Sequence, residues 1–190
     1  KKPSIVDCND LKQVSLADFN LRFVRQEIRC FDKDLPAALR KALDELGEVK
    51  LPIRVTEFNF PGQRSKYYQN RAARLTDAEE QAKAQAIVDY YRLCFAHPRV
   101  EGILMWGFWE GANWIPVSSL YRRDWTPLPA ATAYRDLVFN QWWTRWGGKT
   151  DANGRCEVRA FYGQHRIAAG TKELRVDLLP AAEAKLVSLR

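Results

Sequence analysis

The sequence predicts an α/β fold in which parallel strands are joined by crossover helices, followed by a small antiparallel β-module. Two observations carry the first part: strand and helix patterns alternate along the chain, and the helices have the ordinary length of crossover connections. A third carries the module. From "GGKTDANGRC" onward helical periodicity stops, Asn153-Gly154 gives a turn signal, and Cys156, Val158 and Ala160 alternate with Glu157, Arg159 and Phe161. The expected division is residues 1–147 for the α/β part and 148–190 for the β-module.

Taken in order, "PSIVDCND" reads as a short strand ending in the polar tip Asn9-Asp10, and "RFVRQEI" (Arg22–Ile28) as a second strand. A helix follows in "DLPAALRKALDELG": Asp34 can cap it, Pro36 is tolerated in its first turn, Leu35, Leu39, Leu43 and Leu46 form one stripe, and Gly47 stops it. In "LPIRVTEFNF", Leu51, Ile53, Val55 and Glu57 alternate, which puts the Glu57 carboxylate on the face of three apolar side chains. Residues 61–75 read as a polar loop. Thr76 and Glu79 then form a T-x-x-E capping box opening a helix to about Phe95, with Ala82, Ala86, Tyr90 or Tyr91, and Cys94 on its apolar side. "VEGILMWGFW" is the next strand, "EGANW" a glycine-containing loop, and a last helix runs from Pro129 or Ala130 to about Phe139.

Composition narrows the function classes. The 190 residues suffice for one good core or a domain with a small module, and 46% apolar with 28% charged residues is ordinary for a globular chain. No apolar run is long enough for a transmembrane helix, and "KKPSIVDCND" lacks the apolar core of a signal peptide. The chain is therefore expected either to be cytoplasmic or to begin after an export signal or partway into a longer gene. Cys8, Cys30, Cys94 and Cys156 contain no CxxC pair, and His97 and His165 are the only histidines, so neither a zinc site nor a histidine-rich metal site is expected. The net charge of +7 comes from bases interleaved with acids, a pattern that argues against nucleic acid as the partner. All seven tryptophans fall between Trp106 and Trp146, more than packing needs in so short a span. Indole faces stack on the C–H faces of sugar rings, which brings in a sugar site.

The motifs themselves resemble a known family. "LPIRVTEFNF" is similar to the nucleophile strand of family 10 glycoside hydrolases, the endo-1,4-β-xylanase family, and "HPRVEGILMWGFWEGANW" resembles the next strand and loop, with Trp106, Gly107, Glu110, Asn113 and Trp114 at its marked positions. "SLYRRDWTPLPAATAY" resembles the segment that closes the family's fold. The resemblance covers roughly residues 50–135 and implies the C-terminal portion of a (β/α)8 TIM barrel, followed by the β-module. It implies a retaining hydrolase acting on xylan or a related β-linked polysaccharide, with Glu57 as nucleophile, Trp106 and Trp114 as walls of the sugar site, and Gln26 and Glu110 as further substrate contacts. No cofactor or metal is implied. The full-length form is expected to be secreted or periplasmic, and the missing N-terminal half of the barrel is an expected partner. Trp125, Trp142, Trp143 and Trp146 are expected to pack the last helix and the β-module against the barrel.

The departures are specific. The family's aspartate two residues after the nucleophile is Asn59, and the histidine expected after Gln26 is Ile28. The spacing between Asp10 and Phe23 is short for a crossover helix. The family's acid/base glutamate sits in an Asn-Glu pair on an earlier strand, and the chain contains no such pair. A whole barrel takes roughly 250 residues, so residues 1–147 hold only its last three or four strand–helix units. Two function classes therefore stand: a glycosidase region lacking its acid/base and inactive alone, or a non-catalytic carbohydrate-binding or interaction protein.

Overall fold

Local chemistry sets helix α2 (Asp77–Ala96). Its capping box is complete: the Glu79 N–H donates to Thr76 Oγ1 at 3.3 Å, and the Thr76 N–H donates to Glu79 Oε2 at 2.8 Å. Asp77, Glu79 and Glu80 lie in the first turn, where the helix dipole favours carboxylates. In this computed structural model, which describes residues 4–7, 26–29, 35–62, 67, 69–179 and 185–188 (the first two segments by backbone alone), three helices and six strands are traced. Asp34, Asn9-Asp10 and the side chain of Gln26 lie outside the described residues.

β1 (Ser4–Asp7) pairs in parallel with β2 (Gln26–Arg29), in register from Ser4 opposite Gln26 to Asp7 opposite Arg29. The short spacing expected between these strands is thus compatible with parallel pairing, because β1 ends at Asp7 and β2 starts only at Gln26. β3 (Ile53–Phe58) and β4 (Val100–Met105) form a second parallel pair connected through α2, the β–α–β unit of an α/β barrel. Helix α1 (Leu35–Gly47) buries Leu39 and Leu43 with Cys94 of α2, and Ile53, Val55, Val100 and Ile103 of the two strands pack on this cluster. The buried stripe of α2 is Glu80, Lys83, Ala84, Ile87, Val88, Tyr91 and Cys94. Ala82 is exposed and Ala86 half-buried, so the first half of the expected apolar side is corrected: the buried row runs through Lys83, Ala84, Ile87 and Val88, while Tyr91 and Cys94 are buried as expected.

The alternation along β3 is also corrected. Ile53 and Val55 face the helices, so an unbroken strand would place Glu57 there too. Instead the pairing with β4 is irregular between Val55 and Phe58. Phe58 takes the helix side, 6% exposed, stacked on Tyr90 at 4.1 Å and edge-on to Tyr91 at 5.6 Å. Glu57, the residue before it, is exposed. A bulge of this kind re-aims one side chain at the cost of local pairing. Leu51 lies before the strand and is exposed.

β4 ends at Met105, short of the expected Trp109, because the chain turns at Gly107. α3 (Pro129–Asp136) starts on proline, and its last part is not α-helical as expected but a π-helical turn, Leu137–Gln141. Asp136 accepts from Asn140 Nδ2 at 3.0 Å and Gln141 Nε2 at 2.7 Å around that turn. By backbone contacts the chain divides into two compact units, Lys1–Arg135 and Asp136–Arg190.

The second unit carries an antiparallel hairpin of β5 (Gly163–Ala169) and β6 (Lys172–Leu178), joined by Gly170-Thr171 with Gly170 at φ +60°. The strand expected over 156–160 is absent. Asn153-Gly154 does turn, but Asp151 accepts the Asn153 and Arg155 N–H groups at 2.9 and 2.8 Å, closing a local loop that starts no ladder.

Candidate functional site

The C-terminal ends of β3 and β4 lie side by side. The Trp106 N–H donates to the Phe58 carbonyl at 2.8 Å, and Asn59 Nδ2 donates back to the Trp106 carbonyl at 3.0 Å. Glu57 and Trp106 thus sit on adjoining strand ends, the edge where parallel α/β barrels carry their sites. Trp106 is 50% exposed and Trp114 67% exposed.

Asn113 holds the loop between them. Its Nδ2 lies 3.0 Å from Gly107 O, 3.0 Å from Ser118 Oγ and 2.9 Å from Ser119 Oγ, while its Oδ1 accepts from the Ile115 N–H at 3.1 Å. Gly107 adopts φ +77°, and a Cβ there would stand 2.8 Å from Asn113 Cγ, so only glycine fits. Tyr67 Oη donates to the Trp114 carbonyl at 3.0 Å, and its ring packs with Ile115 and Val117. Asn59 suits its position because its amide can donate to Trp106, which an ionised aspartate cannot do. Its Oδ1 is buried with no hydrogen-bond partner among the described residues, a situation that would cost more for a charged oxygen.

Glu110, expected to meet sugar hydroxyls, is buried, with both oxygens engaged by the protein. Arg74 Nη1 pairs with Oε1, and the Arg123 N–H donates to Oε2 at 3.0 Å. Lys83, which sequence reasoning did not single out, is fully buried on the helix side of the loop. Its Nζ donates to Val117 O at 2.9 Å and Ser119 O at 3.3 Å, and pairs with Glu80 Oε2 at 2.7 Å. Burial lowers its pKa, with Glu80 opposing the shift. A sequence signal existed in the Glu80-x-x-Lys83 spacing, but such pairs usually lie in solvent.

Phe108, Trp109, Tyr121 and Trp125 form an aromatic group beside this loop. Trp109 and Trp125 stack at 5.2 Å and 11°, and Phe108 lies 6.3 Å from Trp125. Trp125, expected as packing, is 56% exposed, and Trp143 and Trp146 are exposed as well, whereas Trp142 is half-buried. Gln26 heads β2, and its backbone alone is described. Among the described residues no cluster of His, Cys, Asp or Glu is placed to hold a metal, and no helix is long and apolar enough to cross a membrane.

Comparison with known proteins bears on family and fold. Residues 28–137 match the family model described as Glycosyl hydrolase family 10. The anti-sigma-I factor RsgI6 of Acetivibrio thermocellus is 35% identical over 130 residues, which is 68% of this chain and 15% of that protein. Endo-1,4-beta-xylanase 2 of Arabidopsis thaliana is 26% identical over 135 residues, 71% of this chain and 11% of that protein. The chain thus spans a small fraction of the curated relatives it matches. Among solved structures, xylanase 10B of Thermotoga petrophila in complex with xylobiose aligns with TM-score 0.50 and 16% identity, over 66% of this chain and 39% of that one. That likeness is one of fold: an incomplete (β/α) barrel followed by a small β-module.

Proposed function

Because the chain belongs to glycosyl hydrolase family 10, we propose that it forms the nucleophile side of a retaining site for a β-1,4-linked xylan-type polysaccharide. The observation that carries this reading is the bulge in β3, which puts Phe58 among the helices and leaves Glu57 exposed beside the Trp106 strand end. In this reading Glu57 attacks the anomeric carbon, the bond to the leaving oxygen breaks, and a glycosyl–enzyme ester forms. Trp106 and Trp114 flank the sugar. Glu110 serves through the loop it fixes. The second carboxyl that protonates the leaving oxygen and later activates water has no counterpart by motif in this sequence. Turnover therefore needs the remainder of the barrel, and a full-length form that meets xylan outside the cytoplasm, secreted or periplasmic, fits this substrate.

A 2-fluoro xylobioside with a dinitrophenyl leaving group tests the nucleophile directly, since that group departs without protonation. Intact-mass and peptide mass spectrometry are expected to find a stable sugar label on Glu57. A folded chain that binds xylobiose but takes no label would refute catalysis and leave the alternative, a non-catalytic carbohydrate-binding or interaction protein. That alternative draws support from the likeness to a protein named as an anti-sigma factor rather than as an enzyme.

A further inference from the structure

Trp125 combines three properties that packing does not explain together. Its backbone adopts φ +68°, a left-handed conformation that is strained for a bulky residue. The turn imposes it: the Trp125 N–H donates to Arg122 O at 2.9 Å, and the Arg122 N–H donates to Thr126 O at 2.9 Å. A glycine or asparagine would sit there with less strain. Its ring, moreover, is more than half exposed, so hydrophobic burial does not compensate for that strain.

The ring is nonetheless held in place from behind. Trp109 stacks on it, Tyr121 lies 6.2 Å away and Phe108 6.3 Å away. Trp109 is itself fixed by its Nε1–H, which donates to Arg123 O at 3.1 Å, and by Gly111, where a Cβ would stand 2.1 Å from the indole. A backed indole with its other surface in solvent is an amphipathic platform suited to the C–H face of a pyranose. Phe108, which is exposed and whose ring lies 6.3 Å from Trp125, follows Trp106 by two residues along the chain. Strained residues that the surrounding structure over-determines cluster at ligand sites.

We infer that Trp125, backed by Trp109, is an additional sugar-binding platform that takes a further pyranose of a β-linked polysaccharide running on from the Trp106 wall. This inference rests on the sugar-site reading above and extends it to a residue that reading does not use. It explains why the chain keeps a tryptophan at a left-handed position. It also predicts that the platform is felt only by longer chains.

The test compares the 190-residue chain with Trp125→Asn by titration calorimetry against xylobiose and xylohexaose, together with thermal unfolding. Asparagine tolerates positive φ, so the variant is expected to fold with an unchanged or higher melting temperature. It should bind xylohexaose about tenfold more weakly while its xylobiose affinity stays within about twofold. Trp109→Phe, which keeps an aromatic ring behind Trp125, should lose less. Unchanged xylohexaose affinity, or equal losses for both sugars with a lowered melting temperature, would overturn the platform and make Trp125 a packing residue. Binding of neither sugar by the unaltered chain would overturn the sugar-site reading, and the platform with it.

Discussion

Replacing Phe58 by alanine tests the feature on which the site depends. The bulge in β3 exchanges the partners of two adjacent side chains, so Phe58 and not Glu57 carries the packing energy. Phe58 is 6% exposed between Tyr90 and Tyr91. Deleting a ring so enclosed costs about 3–5 kcal/mol, the lost transfer energy plus the cavity left between tyrosines that α2 holds apart. For a chain of this size that corresponds to a melting temperature lower by about 6–20 °C. Urea unfolding followed by far-UV circular dichroism measures the change, with Glu57→Ala as the matched variant, expected to cost less than about 1 kcal/mol because the residue is exposed. If Phe58→Ala costs less than 1 kcal/mol while Glu57→Ala costs several, the alternation in β3 is unbroken. Glu57 then faces the helices, and its role as an exposed nucleophile fails.

Two further outcomes are expected. Gly107→Ala places a methyl group 2.8 Å from Asn113 Cγ at φ +77°, so it should destabilise the chain by at least about 2 kcal/mol, with amide exchange over the 113–120 loop rising more than in α1. Raising the pH should weaken the fold from about pH 9 upward: burial pushes the Cys94 thiol from 9.0 up to about 11 and the Tyr90 and Tyr91 hydroxyls well above 10.0. These groups keep their protons in the folded chain after the unfolded chain has released them, so stability falls as pH rises through that window. Lys83 opposes the trend, because its lowered pKa makes the folded chain release a proton before the unfolded one does. In Cys94→Ala, urea midpoints measured between pH 8 and 11 should begin their decline about one unit later, at the tyrosines' ordinary pKa. A Cys94→Ala profile that declines from the same pH as the unaltered chain would show that the Cys94 thiol is open to water, since Lys83 contributes equally to both.

What the sequence made legible was local. The capping box of α2 needs only Thr76 and Glu79 three residues apart, and the Leu39 and Leu43 stripe needs only helical period, so both were readable without a partner in view. The parallel pairing of β3 and β4 followed from the length of the helix between them. The bulge was not readable, because strict alternation assumes one partner residue per residue, and the irregularity belongs to the register with β4. The burial of Lys83 is likewise decided by the carbonyls of Val117 and Ser119, 34 and 36 residues away, which need donors that no apolar side chain supplies. In the second unit the Asn153-Gly154 signal was true as a turn and misleading as a hairpin. Asp151 satisfies the turn's N–H groups within the loop, whereas Gly170 brings two β-competent segments into register.

The site divides along the same line, and that division says where its chemistry is decided. The roles expected of Glu57, Trp106 and Trp114 came from motif resemblance, and the structure adds that all three are exposed. The surroundings of Glu110 and Trp125 were not legible, because they depend on what else arrives. Arg74 and the Arg123 N–H turn Glu110 from a ligand contact into a fastening for the loop. Trp125 differs for a physical reason of its own: the sign of a backbone torsion is written into glycine and asparagine but not into tryptophan. The turn's hydrogen bonds hold that torsion and Trp109 stacks behind the ring, so the exposed part of the indole is where the proposed sugar contact is to be tested.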